Sequence, residues 1–269
     1  MSSAIDLIIS VCLEPIFLLP NYIYARIKKQ KFEVNKVKTN HQIYALLFWL
    51  GLIGGITLAE KVFAQEALHK ANFDGFMRDF KDATEPSHLV DTAFKKIEDQ
   101  DTFEKSEGTR SALDVGAGTG RDTLFLLKKG WRVTAIDSNK QGIELIRSKA
   151  SKECTSNLEV LELDFDHIPL HKKYDLVISN WSIDYASPET YPTILKNLKS
   201  LVSKNGRLAI SFFGDEHTGI KKSVVHTLHK QSEILPMIGD DFEIEYFNAV
   251  KQHRKGYVWH VFEVVAKRK

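Results

Sequence analysis

The spacing of apolar and polar positions changes character along the chain. From about residue 108 onward, short apolar runs alternate with stretches in which apolar residues recur every three or four positions. Residues 111–115, 132–136, 158–163, 174–179 and 208–213 read as strands. Residues 123–127 are apolar, and Lys128-Lys129-Gly130 behind them makes a helix stop. Ser138 and Gln141 read as a capping box, with Ile143, Ile146 and Ala150 on one helical face. Ser187-Pro188-Glu189 reads as a helix start. A stripe of Ile194, Leu195, Leu198 and Leu201 follows, and Asn205-Gly206 closes it. Residues 242–247 and 258–266 add two strands. The last is apolar on both faces, which predicts a place inside the sheet. Strands alternating with helices predict an α/β fold: a doubly wound, mainly parallel, seven-stranded sheet.

The amino-terminal part follows another pattern. Residues 43–59, IYALLFWLGLIGGITLA, carry no charge, and seventeen residues is near the lower limit for a helix spanning about 30 Å of hydrocarbon. Gly51 and Gly55 form a G-x-x-x-G pair. An earlier apolar run, residues 7–19, is broken by Glu14 and Pro15. Between the two lies a basic stretch, Arg26, Lys28, Lys29, Lys31, Lys36 and Lys38, opposed only by Glu33. It reads as a linker or as a juxtamembrane segment facing anionic lipid. A signal peptide cleaved after Val62-Phe63-Ala64 is the alternative. Three regions follow: 1–64, hydrophobic and basic, membrane-associating; 65–107, a helical lead-in; and 108–269, the main domain. In the lead-in, Phe73, Asp74, Phe76 and Phe80 precede a turn at Glu85-Pro86-Ser87 and predict either a packing helix or a lid.

Composition narrows the picture little. The 269 residues are 43% hydrophobic and 27% charged with a net charge of +2, so no global field points to nucleic acid. Cys12 and Cys154 are the only cysteines, too few for a disulfide framework or a metal cluster. The histidines His217, His226 and His229 read as surface positions without metal spacing.

The chemistry concentrates in DVGAGTGRD, residues 114–122. Counting from Gly116, the sixth position is Arg121, so the dinucleotide pattern fails; Gly-Lys-Ser/Thr, which a P-loop needs, is also absent. Asp114 ahead of the first glycine would repel a pyrophosphate and suit an ammonium group. Asp137, ending the second strand, can accept from a ribose diol. Asp164 after the third strand can accept from an exocyclic amine, with Phe165 stacking on a purine. Taken alone, Asp164 reads first as a turn or cap residue, and Asp137 could cap the helix that follows it. An ammonium, a diol and a purine together describe S-adenosyl-L-methionine.

The stretch ALDVGAGTGRDTLFLLKKGWRVTAIDSNKQGIELIR resembles class I S-adenosylmethionine-dependent methyltransferases, in particular the small-molecule branch with the tellurite-resistance enzymes. YDLVISNWSIDYASPETYPTIL, GRLAISFFGDEH and WHVFEVVAKRK extend the resemblance over roughly residues 70–269. It implies cofactor-binding positions at Asp114, Gly116, Ala117, Gly118, Asp137, Ser138, Asp164 and Phe165, with Asn180 and Trp181 beside the transferred methyl. It also implies a lid role for the lead-in. That branch often has Cys where Ala117 stands, and generally lacks the amino-terminal hydrophobic segment.

Methyl transfer needs a base only for a nucleophile that carries a proton. Candidates are Asp184, Tyr185 and His217, with Tyr191 and His253 behind them. Trp181 and Tyr185 could wall an acceptor pocket or simply pack. After the fourth strand, Asn180-Trp181-Ser182-Ile183 lacks the prolines of Asn/Asp-Pro-Pro-Tyr, which argues against methylation of nucleic-acid bases. The expectation is a methyltransferase for a small-molecule acceptor, membrane-associated through residues 43–59 with its domain facing the cytoplasm. The alternatives are a protein or lipid-associated methyltransferase at a membrane, and a non-catalytic S-adenosyl-binding regulator.

Overall fold

The first strand of the domain, β1 (Ser111–Val115), sits where the sheet reverses its order. The computed structural model describes residues 79–101, 108–150, 155–219 and 227–269. After β1 come helix α2 (Arg121–Lys128), β2 (Arg132–Asp137), α3 (Lys140–Lys149), β3 (Leu158–Glu162) and β4 (Tyr174–Ser179). Then follow α4 (Tyr191–Leu201), β5 (Val202–Phe213), α5 (Gln231–Ile238), β6 (Phe242–Arg254) and β7 (Tyr257–Arg268). Helix α1 (His88–Asp101) precedes them all. The strand order is β3-β2-β1-β4-β5-β7-β6. Strands β1 to β5 run parallel, while β7 is antiparallel to both β5 and β6. The predicted inner position of the last strand is therefore found.

Side-chain alternation sends one set of β residues to each face. Leu113, Val115, Val177, Leu208, Ile210 and Phe212 pack with α4 and α5 residues such as Leu198 and Ile234. Ala112, Val133, Leu176, Ile178, Ala209 and Val265 pack with α1 and α2 residues such as Leu89, Ile97 and Leu126. Helix α1 thus packs on this face of the sheet.

Several local expectations need correction. The cap of α3 is Asn139, whose Oδ1 accepts from the Gln141 and Gly142 amides at 2.9 and 3.4 Å; Ser138 is exposed beside it. A side chain one residue closer to the helix has the better reach to those donors. Helix α4 begins at Tyr191, with Thr190 as its N-cap; the Ser187 hydroxyl accepts from the Thr190 amide at 3.3 Å, in the turn before the helix. The helix ends at Leu201, before Asn205-Gly206. Those residues instead form an irregularity in β5, where the register with β4 jumps from Tyr174↔Val202 to Leu176↔Arg207 and Asn205 takes φ 64°. Strands β6 and β7 run past their apolar cores into a hairpin closed at Gly256, φ 88°. Helix α5 was not expected, because Pro236 obscures its pattern. Residues 43–59, Phe73, Asp74, Phe76, His226, Cys12 and Cys154 lie outside the described residues. Within those described, no helix is long and apolar enough to cross a membrane.

Arg207 ties three elements together. It is 4% exposed, and its guanidinium donates to both Glu245 carboxylate oxygens at 3.1 and 2.9 Å and to Gln100 at 2.6 Å. Arg207→Ala is expected to cost about 3–5 kcal/mol in urea unfolding, because Glu245 is left half-buried without its counter-charge. A loss under about 0.5 kcal/mol would show that water replaces the pair.

Candidate active site

The carboxyl ends of β1 and β4 flank the switch point, where ligands bind in such sheets. The chain leaves β1 through three glycines in the left-handed region: Gly116 (φ 75°), Gly118 (φ 55°) and Gly120 (φ 76°). Gly116 abuts Ser182: a Cβ there would lie 2.3 Å from the Ser182 Cβ. Gly120 lets α2 approach α3, since a Cβ would lie 2.4 Å from Ile146 Cγ1. The turn is pinned to β2, with Gly116 and Ala117 amides donating to the Ile136 carbonyl at 2.8 and 3.0 Å.

Asp114, Gly116, Ala117, Thr119, Arg121, Asp122, Asn180 and Trp181 line one cleft. Asp114 is 4% exposed, and its Oδ2 accepts from Thr123 Oγ1 at 2.6 Å. Burial, and then the neighbouring Asp122 charge, push its pKa up to about 7, against the Thr123 hydrogen bond. Asp122 is buried too, held by the Ser87 amide at 2.6 Å and hydroxyl at 2.8 Å. Ser87 also caps α1, accepting from the Val90 amide. Two carboxylates in one apolar-backed cleft favour a cationic ligand and disfavour a phosphate. Thr119, Arg121 and Asp122 escaped sequence reasoning; the polar run TGRD at the head of an apolar helix was the available signal.

Asp137 stands where the sequence placed it. Its Oδ2 accepts from the Gly118 amide at 2.8 Å and its Oδ1 from Asn139 at 2.7 Å. Burial raises its pKa despite those two bonds. A carboxylate offers about four acceptor sites, so capacity remains for a diol. Asp164 is exposed; its Oδ1 accepts from the Asp166 amide at 3.1 Å and pairs with His167 Nδ1 at 2.5 Å, which holds its pKa down. It caps the turn Phe165–His167, the plainer of its two readings. Phe165 packs partly buried against the core rather than standing free.

Beyond β4 the backbone is strained. Trp181 has φ 53°, a conformation costing a bulky residue roughly 1–3 kcal/mol. It is held there by its amide donating to Ser211 Oγ at 2.7 Å, while Ser211 donates to Asn180 at 3.0 Å. Ser182 Oγ donates to the Val115 carbonyl at 2.8 Å. Such strain, held by a dedicated network, marks a functional position. The cleft itself encloses only about 30 Å³, room for roughly one water. At its mouth the Arg121 guanidinium lies 5.4 Å from the Phe80 ring centre and 5.7 Å from that of Trp181. Those side chains must move to admit a nucleoside. A larger cavity of about 230 Å³ lies at the start of β3, lined by Arg147, Ala150, Thr155, Leu158 and Val160. It lacks convergent polar groups and lies away from the carboxyl ends of the strands.

The candidate bases sort by burial. Asp184 is fully buried, accepting from the Phe213 amide at 2.5 Å, His229 Nε2 at 3.1 Å and Tyr191 OH at 3.4 Å. Burial raises its pKa and that of Tyr191. This network joins the turn after β4 to the end of β5 and offers no face to a substrate. Tyr185 packs on Phe213, with burial pushing its hydroxyl up. His217 and His229, expected at the surface, are 2% and 4% exposed. The loops carrying them fold back: the Asp215 amide donates to the His229 carbonyl, and the His217 amide to that of Gly214. His253 is exposed on β6. Asp215, Glu216 and His260 bring ligand atoms within 4.8 Å of one another. Glu216 is already paired with Lys251 at 2.6 Å, and the His260 Nδ1 accepts from the Glu216 amide at 3.3 Å.

Comparison with known proteins agrees with this geometry. Residues 112–206 match the methyltransferase domain family. A malonyl-[acyl-carrier protein] O-methyltransferase of Acetivibrio thermocellus is 40% identical over 112 residues, 40% of this chain and 38% of its own length. The probable S-adenosyl-L-methionine-dependent methyltransferase TehB of Haemophilus influenzae is 30% identical over 94 residues, 35% of this chain and 32% of its own. The chain thus spans well under two thirds of the length of these relatives. A Burkholderia thailandensis 1,6-didemethyltoxoflavin-N1-methyltransferase, solved with its substrate and S-adenosylhomocysteine, shares the fold. Its TM-score is 0.58 at 16% identity, covering 87% of this chain and 92% of that one. The domain is a class I S-adenosylmethionine-dependent methyltransferase domain with TehB among its relatives, as the motif resemblance implied.

Proposed function

We propose that this protein transfers a methyl group from S-adenosyl-L-methionine to a small-molecule acceptor. The observation that carries the reading is Asp114, a buried carboxylate of raised pKa beside the glycine turn of a methyltransferase domain. The names of the relatives, which include a toxoflavin-type methyltransferase and TehB, support a small acceptor.

When bound, the cofactor supplies an electrophilic methyl on a sulfonium sulfur. The acceptor's lone pair forms the new bond to that carbon, and the broken bond's electron pair returns to sulfur, leaving a thioether. Asp114 and Asp122 provide the negative charge that holds the cofactor's ammonium group, and Asp137 accepts from the ribose diol. Trp181, fixed by Ser211, shields the reacting face from water. The chain's contribution is mainly alignment of nucleophile, carbon and sulfur.

Full-length protein in detergent, given cofactor labelled in its methyl group, is expected to transfer label to a small-molecule fraction. Label appearing only in protein or lipid would favour the membrane-substrate alternative, and cofactor binding without any transfer the regulatory one. Asp137→Ala is expected to weaken S-adenosylhomocysteine binding by about 1.5–3 kcal/mol in calorimetry, the range for hydrogen bonds to a charged group. Unchanged affinity in a folded variant removes Asp137 from the site.

We also propose that residues 43–59 associate the protein with a membrane, with the catalytic domain facing the cytoplasm. The uncharged run supports association. The basic stretch before it would stay cytoplasmic and send the domain across, but the run is short for spanning and can lie at the interface. Protease protection in intact cells tests this: digestion beyond residue 65 from outside would reverse the assignment.

A further inference from the structure

Among the described residues, the charged side chains that line the cofactor cleft are Asp114, Asp122 and Arg121. The two carboxylates repel each other, and the Asp122 charge helps to raise the pKa of Asp114. The neighbouring Arg121 guanidinium offers Asp122 another place to turn. Its Nε stays 3.7 Å from Asp122 Oδ1, too long for a hydrogen bond. What holds Asp122 comes instead from outside the glycine turn, 35 positions back in the chain. The Ser87 amide donates to Asp122 Oδ1 at 2.6 Å, and the Ser87 hydroxyl donates to Oδ2 at 2.8 Å. Both carboxylate oxygens are gripped, which fixes the orientation of the carboxyl plane.

Ser87 is itself held by α1. Its carbonyl accepts the first helical bond, from the Asp91 amide at 2.9 Å, and its hydroxyl oxygen accepts from the Val90 amide at 3.3 Å. That is N-cap geometry. The Val90 N–H uses a lone pair of the hydroxyl oxygen, so the hydroxyl hydrogen is free for Asp122. Behind the cap, Leu89, Val90, Ala93 and Ile97 are buried with the sheet residues of the same face. Helix α1 therefore cannot shift without opening that core. Ser87 is 5% exposed, which keeps bulk water from competing for its hydroxyl. A carboxylate offers about four acceptor sites. Ser87 takes one on each oxygen of Asp122 and leaves the others for a ligand, while Thr123 takes one on Asp114.

We propose that Ser87 is a positioning residue of the cofactor site: it keeps the Asp122 carboxylate turned into the cleft beside Asp114, so that the docking of α1 sets how tightly the amino-acid end of S-adenosyl-L-methionine is held. The proposal rests on the methyltransferase reading above. Without the Ser87 hydroxyl, Oδ2 is released, and the carboxylate can turn away from Asp114 toward Arg121. The ammonium then loses one of its two acids. The nucleoside end carries no cation for this pair to recognise, so its binding is indifferent to the change.

The test uses the full chain in detergent at pH 8, titrated by calorimetry with two ligands. One is S-adenosylhomocysteine; the other is 5′-methylthioadenosine, which keeps the nucleoside and lacks the amino-acid end. Ser87→Ala is expected to bind S-adenosylhomocysteine about tenfold more weakly, the scale of one hydrogen bond to a charged group. It should bind methylthioadenosine within about twofold of the parent, which also shows that it folds without the hydroxyl cap. Ser87→Thr restores the hydroxyl and is expected to bring S-adenosylhomocysteine affinity back to within about threefold of the parent. Because Ser87 acts through Asp122, Ser87→Ala should cost no more than about twofold further in an Asp122→Asn background. Where methylthioadenosine binds the parent too weakly to measure, this double variant decides alone. Unchanged S-adenosylhomocysteine affinity in Ser87→Ala, an equal loss for both ligands, or full additivity with Asp122→Asn would each overturn the positioning role. Failure of the parent to bind S-adenosylhomocysteine would instead overturn the methyltransferase reading, and the positioning role with it.

Discussion

Gly116→Val is expected to lose about 3–5 kcal/mol of stability and all measurable cofactor binding. Two effects add. The residue has φ 75°, where a β-branched side chain is strained by roughly 1–3 kcal/mol. Its Cβ would also lie 2.3 Å from the Ser182 Cβ, and Ser182 cannot step aside. Its hydroxyl is tied to the Val115 carbonyl and to Ser179 Oγ, each at 2.8 Å. Overpacking of this kind costs roughly 1–3 kcal/mol more. Urea unfolding measures the sum. A double variant separates the two parts: adding Ser182→Gly to Gly116→Ala should return the steric part and leave the conformational part. If Ser182→Gly recovers nothing, the close approach is not the cause.

Asp114→Asn is expected to weaken S-adenosylhomocysteine binding by more than about a hundredfold at pH 8, the scale of a charge-assisted hydrogen bond in a desolvated site. It should also abolish the pH dependence of binding. In the parent, Asp114 holds its proton up to about pH 7, through burial first and Asp122 second. The cofactor's ammonium needs the carboxylate, so affinity should rise about tenfold per pH unit toward pH 7 and level off above it. Binding below pH 7 should release a proton, seen in buffers of different ionisation enthalpy. The unliganded protein should show the opposite trend in stability. Its folded pKa lies above the unfolded 3.8, so the folded state holds more protons in between. Stability therefore falls as pH rises from about 4 to about 7, by about 4 kcal/mol from this group. The Asn variant should lack that fall. An affinity that is flat from pH 5 to 8 in the parent would remove Asp114 from contact with the ammonium.

The sequence was most legible where local chemistry and fold agree. The strands of the parallel half announced themselves as apolar runs, and DVGAGTGRD placed the turn between β1 and α2. Asp114 and Asp137 stand at the carboxyl ends of β1 and β2, where the apolar runs placed them, because the fold directs those ends to one edge of the sheet. Element ends were less legible. Ser138 has the same capping chemistry as Asn139, and one residue of reach decides between them; Ser187 lies three residues ahead of the Thr190 N-cap of α4.

By itself the sequence determined the α/β class, the inner place of β7 and the nature of the cofactor, because apolar period, β-branching and the order of acids along the chain are local properties. Only the tertiary structure decided what the histidines and serines do. His217 and His229 look polar and exposed in a local window, yet loops from distant parts of the chain bury them, and Asp184 meets its partners across 29 and 45 positions. The strain at Trp181 is likewise invisible in sequence, since it exists only because Ser211, thirty residues on, holds its amide. Contacts between residues far apart in the chain carry no local signature, and the networks around Asp184 and Trp181 are built from them.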